Sequence, residues 1–325
     1  MTTLPTALVT APLRGPGVDR LRAIADVVLD PWIDQKPLRI YSADDLAARI
    51  ESEGAELLVV EADAVDGPVF DQPLRAIGVC RGAPVNVDLP AATAAGIPVV
   101  HTPGRNADAV AEMTAALLFA VSRSVVLADA DVRAGRVFAG GLIPYQRFRA
   151  WQVAGRTFGI VGLGAVGRAT AWRMEGLGMR VISHDPYAED ATHSLDDLLE
   201  ESDVVSMHAR VTDETTGMIG ADEFGRMRDG AIYLNTARAG LHDLDALVSA
   251  LESEKLGGAG LDHVEGEVLP EDHQLLSMRN VVITPHIGGA TYDTEVLQSM
   301  VVADGFERIL RGERPDHLAN PEVWA

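Results

Sequence analysis

An apolar run, Phe158-Gly159-Ile160-Val161, passes directly into Gly162-Leu163-Gly164-Ala165-Val166-Gly167, and a helical pattern follows through Ala169, Ala171, Met174 and Leu177. A strand that ends on glycines spaced this way and resumes as a helix has few local geometries open to it. Gly162 permits the tight turn, Gly164 lets the backbone approach a pyrophosphate, and Gly167 lets the helix lie close on the strand. The helix opens at Ala165 and Val166, where unpaired N–H groups and the positive end of the helix dipole attract an anion. Asp185 ends the next predicted strand about 20 residues on, where a carboxylate accepts ribose hydroxyls. The same carboxylate repels a 2′-phosphate, and residues 186–192 contain no Arg or Lys to receive one, so the cofactor expected is NAD rather than NADP.

The motif starts at position 162 of 325 residues, which leaves room for a further domain ahead of it. Short β-branched runs alternate with amphipathic stretches from Ala7 onward: strands are expected at 7–10, 27–29, 57–60, 76–80 and 97–100, with helices at 18–24, 46–50 and 89–95 between them. The pattern breaks at His101-Thr102-Pro103-Gly104. Residues 106–124 read as one long helix with Ala109, Met113, Ala116, Leu117 and Ala120 as its apolar stripe. A second series of strands is expected near 158–162, 180–184, 203–207, 231–235, 258–261 and 281–284, and a last helix (Val296, Met300, Val301, Phe306, Ile309, Leu310) is expected to pack back on the first domain. The fold class is therefore α/β, with two Rossmann- or flavodoxin-like doubly wound parallel sheets.

Composition excludes several functions. Acidic residues outnumber basic ones 48 to 27, for a net charge of -21, so nucleic acid and anionic membranes, which need clustered Lys and Arg, are not expected partners. Cys80 is the only cysteine, which excludes an intrachain disulfide and thiolate zinc sites and fits a cytoplasmic location. The first ten residues carry no basic leader. The most apolar helical stretch, Met113 to Val126, is interrupted by Arg123 and falls short of the ~18 residues of a membrane span.

A dinucleotide domain does not fix the reaction. None of Tyr41, Tyr145, Tyr187, Tyr233 and Tyr292 has the lysine four positions later that short-chain dehydrogenases use. Three separated segments instead resemble the D-isomer-specific 2-hydroxyacid dehydrogenases: Asn235-Thr236-Ala237-Arg238-Ala239-Gly240; Gly260-Leu261-Asp262 with Glu265-Gly266-Glu267; and Asn280-Val281-Val282-Ile283-Thr284-Pro285-His286-Ile287-Gly288-Gly289. The stretches Ala92 to Gly104 and Ala319 to Val323 also resemble the family, so the likeness spans nearly the whole chain.

The resemblance implies a cofactor domain (105–291) inserted into a split, flavodoxin-like substrate domain (1–104 and 292–325). It implies Arg238 as the catalytic arginine, Glu267 as its assisting glutamate and His286 as the acid/base histidine. Asp262 is implied at the nicotinamide side, with Ala209, Arg210, Thr236, Ala237 and Gly288 also at the cofactor. The backbone near Arg81, Gly82 and Ala83 is implied at the substrate carboxylate, together with Arg238. The partner implied is a small 2-hydroxy or 2-oxo acid, the assembly a homodimer. The residues suit this chemistry: reduction of a 2-oxo acid needs a cation for carboxylate and carbonyl, which Arg238 supplies, and a proton donor, which His286 supplies while Glu267 favours its protonated form.

This chain also departs from the family pattern. His263-Val264 replaces the usual Val-Phe, Val268 stands for a proline, and Arg210 takes the place of a proline beneath the cofactor. The loop Cys80 to Asp88 is one residue longer, and Arg81 is expected to add a second positive contact favouring a phosphorylated, dicarboxylic or sugar-derived acid. Trp32, Lys36 and Arg39 are further candidates for substrate recognition, and Tyr145 to Trp151 for a dimer arm. The other histidines, among them His101, His184, His208 and His263, show no metal-ligand spacing, so no metal is expected. Two alternatives are an NAD(H)-sensing binding protein of the same fold, as some relatives are, and formate dehydrogenase, whose chemistry needs no proton donor.

Overall fold

The computed structural model describes residues 4–324. The chain divides into two compact units, one formed by the residues up to Arg105 together with those from Thr291, the other by Asn106–Ala290.

The first unit carries strands β1 (Thr6–Val9), β2 (Asp26–Leu29), β3 (Ala55–Val60), β4 (Ala76–Val79) and β5 (Val99–His101), all parallel, in the order β2-β1-β3-β4-β5. This is the flavodoxin-like order. Helices α1 (Pro16–Ile24), α2 (Ala43–Glu53) and α3 (Leu89–Ala94) connect the strands. The Ser42 hydroxyl caps α2 by accepting from the Asp45 N–H, and Gly54 ends it in the left-handed conformation at φ 61°. Apart from the edge strand β2, the strands are buried on both faces, so they read as continuous apolar runs. Leu58, Val60, Ile77 and Val79 face Leu46 and Ile50 of α2, whereas Leu57, Val59 and Ala76 face Val302 and Phe306 of the terminal helix, Tyr292–Leu310.

That helix does pack on the first unit, but through a more polar face than its sequence suggests. Thr294, Gln298 and Ser299 are buried beside Val302, Ala303 and Phe306, whereas Val296, Met300 and Val301 are only half-buried. The polar groups are satisfied: Gln298 bonds the Pro12 carbonyl and Arg105, and the Ser299 hydroxyl accepts from the Arg14 N–H at 2.9 Å.

The second unit begins with α4 (Ala107–Ser122), α5 (Val125–Arg133) and the short α6 (Pro144–Arg147). Strands β6 (Thr157–Val161), β7 (Arg180–His184), β8 (Val204–Met207), β9 (Ala231–Asn235), β10 (Leu256–Leu261) and β11 (Val281–Ile283) follow, linked by α7 (Ala165–Gly176), α8 (Leu195–Glu201), α9 (Ala221–Arg226) and α10 (Leu244–Glu252). All six strands are parallel, in the order β11-β10-β9-β8-β6-β7. The strand order reverses between β6 and β8, and ligand sites of open α/β sheets lie at the carboxyl ends of the strands flanking such a point.

The buried face of α4 is Val110, Ala111, Thr114, Leu117 and Leu118, rather than the stripe through Ala109 and Ala116. It lies directly on the sheet: a Cβ on Gly258 would sit 2.6 Å from a Val121 methyl, and one on Gly260 would sit 3.0 Å from the Leu117 Cβ. Among the described residues no single helix is long and apolar enough to cross a membrane.

Candidate active site

The turn after β6 shows why each glycine is a glycine. Gly162 sits at φ 98°, and a side chain there would lie 2.5 Å from the Ala209 nitrogen, on the loop after β8. A Cβ on Gly167 would come within 2.1 Å of the Gly162 carbonyl oxygen. Both positions are closed by backbone. Gly164 is the opposite case, since a Cβ there meets nothing within 4 Å. Gly164 is the N-cap of α7 and no side chain caps that helix, so the N–H groups at Ala165 and Val166 face open space, a cradle suited to a diphosphate. Asp185, at the end of β7, is oriented by the backbone: its Oδ2 accepts from the Leu163 N–H at 2.8 Å and its Oδ1 from the Tyr187 N–H at 2.9 Å. Arg168, on α7, forms a two-point pair with Asp190 at 2.6 and 2.8 Å. These residues fit a dinucleotide carrying a free 2′-hydroxyl. Ala209 is half-buried and Arg210 exposed, and the Arg210 carbonyl accepts from the Thr215 hydroxyl at 2.5 Å.

A second group of side chains gathers at the ends of β9, β10 and β11. His286 Nδ1 lies 2.9 Å from Glu267 Oε1, so the imidazole donates Nδ1–H to the carboxylate and turns Nε2 outward. Both residues hold the left-handed conformation, at φ 54° and 64°, which side chains other than glycine rarely adopt. Asp262 holds the His286 loop. It is 1% exposed, and its Oδ1 accepts from the Thr284 hydroxyl at 2.6 Å and the Ile287 N–H at 2.9 Å, its Oδ2 from the Gly288 N–H at 2.7 Å. A side chain on Gly288 would meet that Oδ2 at 2.7 Å.

Arg238 projects from the loop after β9 with its side chain exposed. Buried Asn235 shapes this loop: its Nδ2 donates to the Arg238 carbonyl at 2.9 Å, its Oδ1 accepts from the Ala237 N–H at 3.0 Å, and His242 Nδ1 accepts from it at 3.0 Å. Burial pushes His242 down to about 4, so it stays neutral and able to accept. The Thr236 hydroxyl is spent on Thr114 of α4, at 2.9 Å. Asn235, His242 and Thr114 were not singled out from sequence; polar residues at strand ends, bound for burial, were the available signal.

His263, assigned no role from sequence, joins this group. Its Nε2 accepts from Arg238 Nη1 at 3.2 Å, its Nδ1 lies 3.8 Å from Glu267 Oε1, and its ring centroid lies 3.6 Å from that of His286. Side-chain atoms of His263, Glu267 and His286 thus lie within 4.8 Å of one another, a cluster that distance along the chain did not reveal.

In the first unit, the N–H groups of Gly82 and Ala83 make no hydrogen bond among the described residues, whereas the Arg81 N–H bonds the Val79 carbonyl at 2.8 Å and its Nε donates to the Glu61 carbonyl. Trp32 Nε1 donates to Glu61 at 3.2 Å and Arg39 pairs with Asp30. Lys36 is exposed.

Residues 115–288 match the family described as D-isomer specific 2-hydroxyacid dehydrogenase, NAD binding domain. The chain is 36% identical over 332 residues to a glyoxylate reductase of Thermofilum pendens, covering 98% of this chain and 95% of that protein. It is 31% identical over 324 residues to a D-3-phosphoglycerate dehydrogenase of Methanocaldococcus jannaschii, of which it spans 59%. Among solved structures, a glyoxylate reductase from Paecilomyes thermophila superposes with a TM-score of 0.77 at 26% identity, covering 98% of this chain and 99% of the other. The glycine turn, the oriented aspartate and the relatives agree: the chain belongs to the D-isomer specific 2-hydroxyacid dehydrogenase family, and NAD(H) is its cofactor.

Proposed function

We propose that this NAD-dependent dehydrogenase acts on a small, unphosphorylated 2-oxo acid of the glyoxylate or hydroxypyruvate class, and that Arg238, Glu267 and His286 are its catalytic residues. The 2.9 Å contact between His286 Nδ1 and Glu267 Oε1 carries the assignment, because it fixes the imidazole with Nε2 as the transferable proton site. Arg238 is a permanently charged planar fork able to bind the carboxylate and polarise the carbonyl. Bound NADH supplies a hydride to the carbonyl carbon. As charge grows on the carbonyl oxygen, His286 Nε2 gives it a proton, while the Glu267 carboxylate holds the ring through Nδ1. The reverse reaction uses the same groups, with His286 taking the hydroxyl proton. An NAD(H) sensor or a formate dehydrogenase has no use for a positioned proton donor.

The likeness supports the substrate class, at 36% identity over 332 residues to the glyoxylate reductase against 31% over 324 residues to the phosphoglycerate enzyme. Tethering of Arg81 Nε to the Glu61 carbonyl weighs against a dedicated second anion contact. The exposed N–H groups of Gly82 and Ala83 leave their loop able to receive one anionic group. The test is NADH oxidation by the purified protein against glyoxylate, hydroxypyruvate, phosphohydroxypyruvate and 2-oxoglutarate. Highest kcat/KM on one of the first two is the expected result; a preference for the phosphorylated or dicarboxylic acid overturns the substrate class.

We also propose a homodimer through the segment from α5 to Trp151. Phe138, Tyr145 and Trp151 of this segment are 68%, 85% and 79% exposed, and exposed large apolar side chains of this kind support an interface.

A further inference from the structure

The chemistry proposed above leaves His263 without a part, although it is the most enclosed side chain of the cluster, 4% exposed beside His286 at 43% and Glu267 at 56%. Its two ring nitrogens face opposite charges, with Nε2 3.2 Å from Arg238 Nη1 and Nδ1 3.8 Å from Glu267 Oε1, while its ring lies against His286 at a 51° tilt. A guanidinium only donates, so Nε2 is an acceptor and the proton of a neutral ring sits on Nδ1, turned towards the carboxylate. Burial holds His263 neutral by pushing it down to about 4, and the positive charges of His286 and Arg238 act in the same direction against the weaker pull of Glu267 and Asp262. Arg238 and Glu267 are both exposed and opposite in charge. Two such groups in one site close on each other unless something satisfies both and fills the space between them.

We propose that His263 is a positioning residue, a neutral acceptor–donor spacer that keeps Arg238 available to the substrate carboxylate and Glu267 on His286 by preventing the two charges from pairing. The proposal rests on the roles given above to Arg238, Glu267 and His286. A valine in its place removes both polar faces, and the arginine is then captured by the glutamate. A glutamine keeps an acceptor for Arg238 and a donor for Glu267 on a neutral side chain.

The test compares His263→Val, His263→Gln, Glu267→Gln and the double variant His263→Val/Glu267→Gln. Loss of a hydrogen bond to a charged group is expected to raise the KM for the 2-oxo acid about 10-fold in His263→Val, with lowered kcat and unchanged NADH affinity and Tm. His263→Gln is expected to bring KM back to within about 3-fold of the wild type, and the valine effect on KM is expected to shrink in the Glu267→Gln background, where no carboxylate remains to capture Arg238. A wild-type KM in His263→Val, or equal impairment in His263→Gln and His263→Val, overturns the proposal. Imidazole ¹⁵N shifts of the wild-type protein at pH 7 provide a readout independent of turnover. Protonated Nδ1 with bare Nε2 on His263 is the expected signature, and a protonated Nε2 refutes the spacer even if no acid in the panel is reduced. Failure of this proposal and failure of the reductase reading are thereby separable.

Discussion

Among the described residues four that are not glycine have positive φ, and two of them are Glu267 and His286. Each such conformation costs on the order of 1–3 kcal/mol and persists only where the surroundings enforce it. Asp262 is the enforcing group for His286, through its bonds to Thr284, Ile287 and Gly288. The glycine turn allows a sharper residue-level prediction. Because a Cβ at Gly164 meets open space, Gly164→Val should keep the wild-type Tm yet weaken NADH binding at least about 10-fold, by filling the cradle a diphosphate needs. Gly167→Ala, driven 2.1 Å from a carbonyl oxygen, should lose about 1–3 kcal/mol of stability or more. Thermal melts with fluorescence titration of NADH check both; equal loss of Tm in the two variants contradicts the assignment of space. The turn was legible in sequence because its constraint is local, with strand, glycines and helix contiguous. His263 was not, because its partners Arg238 and His286 lie 25 and 23 residues away along the chain and meet it only where three parallel strands end together.

At the scale of elements, the strands were the easiest part to read, since parallel strands buried on both faces are continuous apolar runs with little else to be. The facing of α4 was misjudged for a related reason: alanines cover most of its circumference, so periodicity cannot choose among them, and the choice is made by Gly258 and Gly260 on β10, which let Leu117 and Val121 approach. The segment after α4 shows a different kind of order. Buried Asp131 on α5 holds Arg136 at 3.0 Å and also binds Arg147, which pins residues 136–147 while leaving Phe138 and Tyr145 uncovered. A segment anchored by ion pairs yet apolar outside suits the dimer interface proposed above. Sedimentation velocity should give about twice the 34.6 kDa chain mass for the wild type and the monomer mass for Phe138→Asp/Tyr145→Asp, with unchanged far-ultraviolet dichroism. A wild-type monomer at micromolar concentration, or a dimer that survives the double substitution, contradicts this interface.

For the molecule as a whole, three enclosed histidines couple folding to pH. His208, His242 and His263 are each pushed down to about 4, burial being the first cause in every case. Unfolded, each returns to the ordinary 6.5, so between those values the unfolded chain binds more protons than the folded one. Their contribution is therefore complete above pH 6.5 and is lost as pH falls towards 4, at up to roughly 1.4 kcal/mol per histidine per pH unit. The net charge of -21 acts in the opposite direction, because acid relieves its self-repulsion, but chiefly below pH 5 where carboxylates titrate. The Tm is expected to fall steadily from pH 6.5 to pH 5. A Tm that is flat or rises over that interval contradicts the buried, neutral state of these side chains.

The most direct test of the central claim, that the His286–Glu267 pair supplies the proton while Arg238 holds the acid, is the turnover of His286→Gln with NADH and the best 2-oxo acid. A glutamine keeps the bulk and hydrogen-bonding capacity but cannot carry the transferable proton. The account predicts a fall in kcat of about 10²- to 10⁴-fold with NADH affinity unchanged. A His286→Gln enzyme that turns over within a few-fold of the wild type would show that the proton comes from elsewhere.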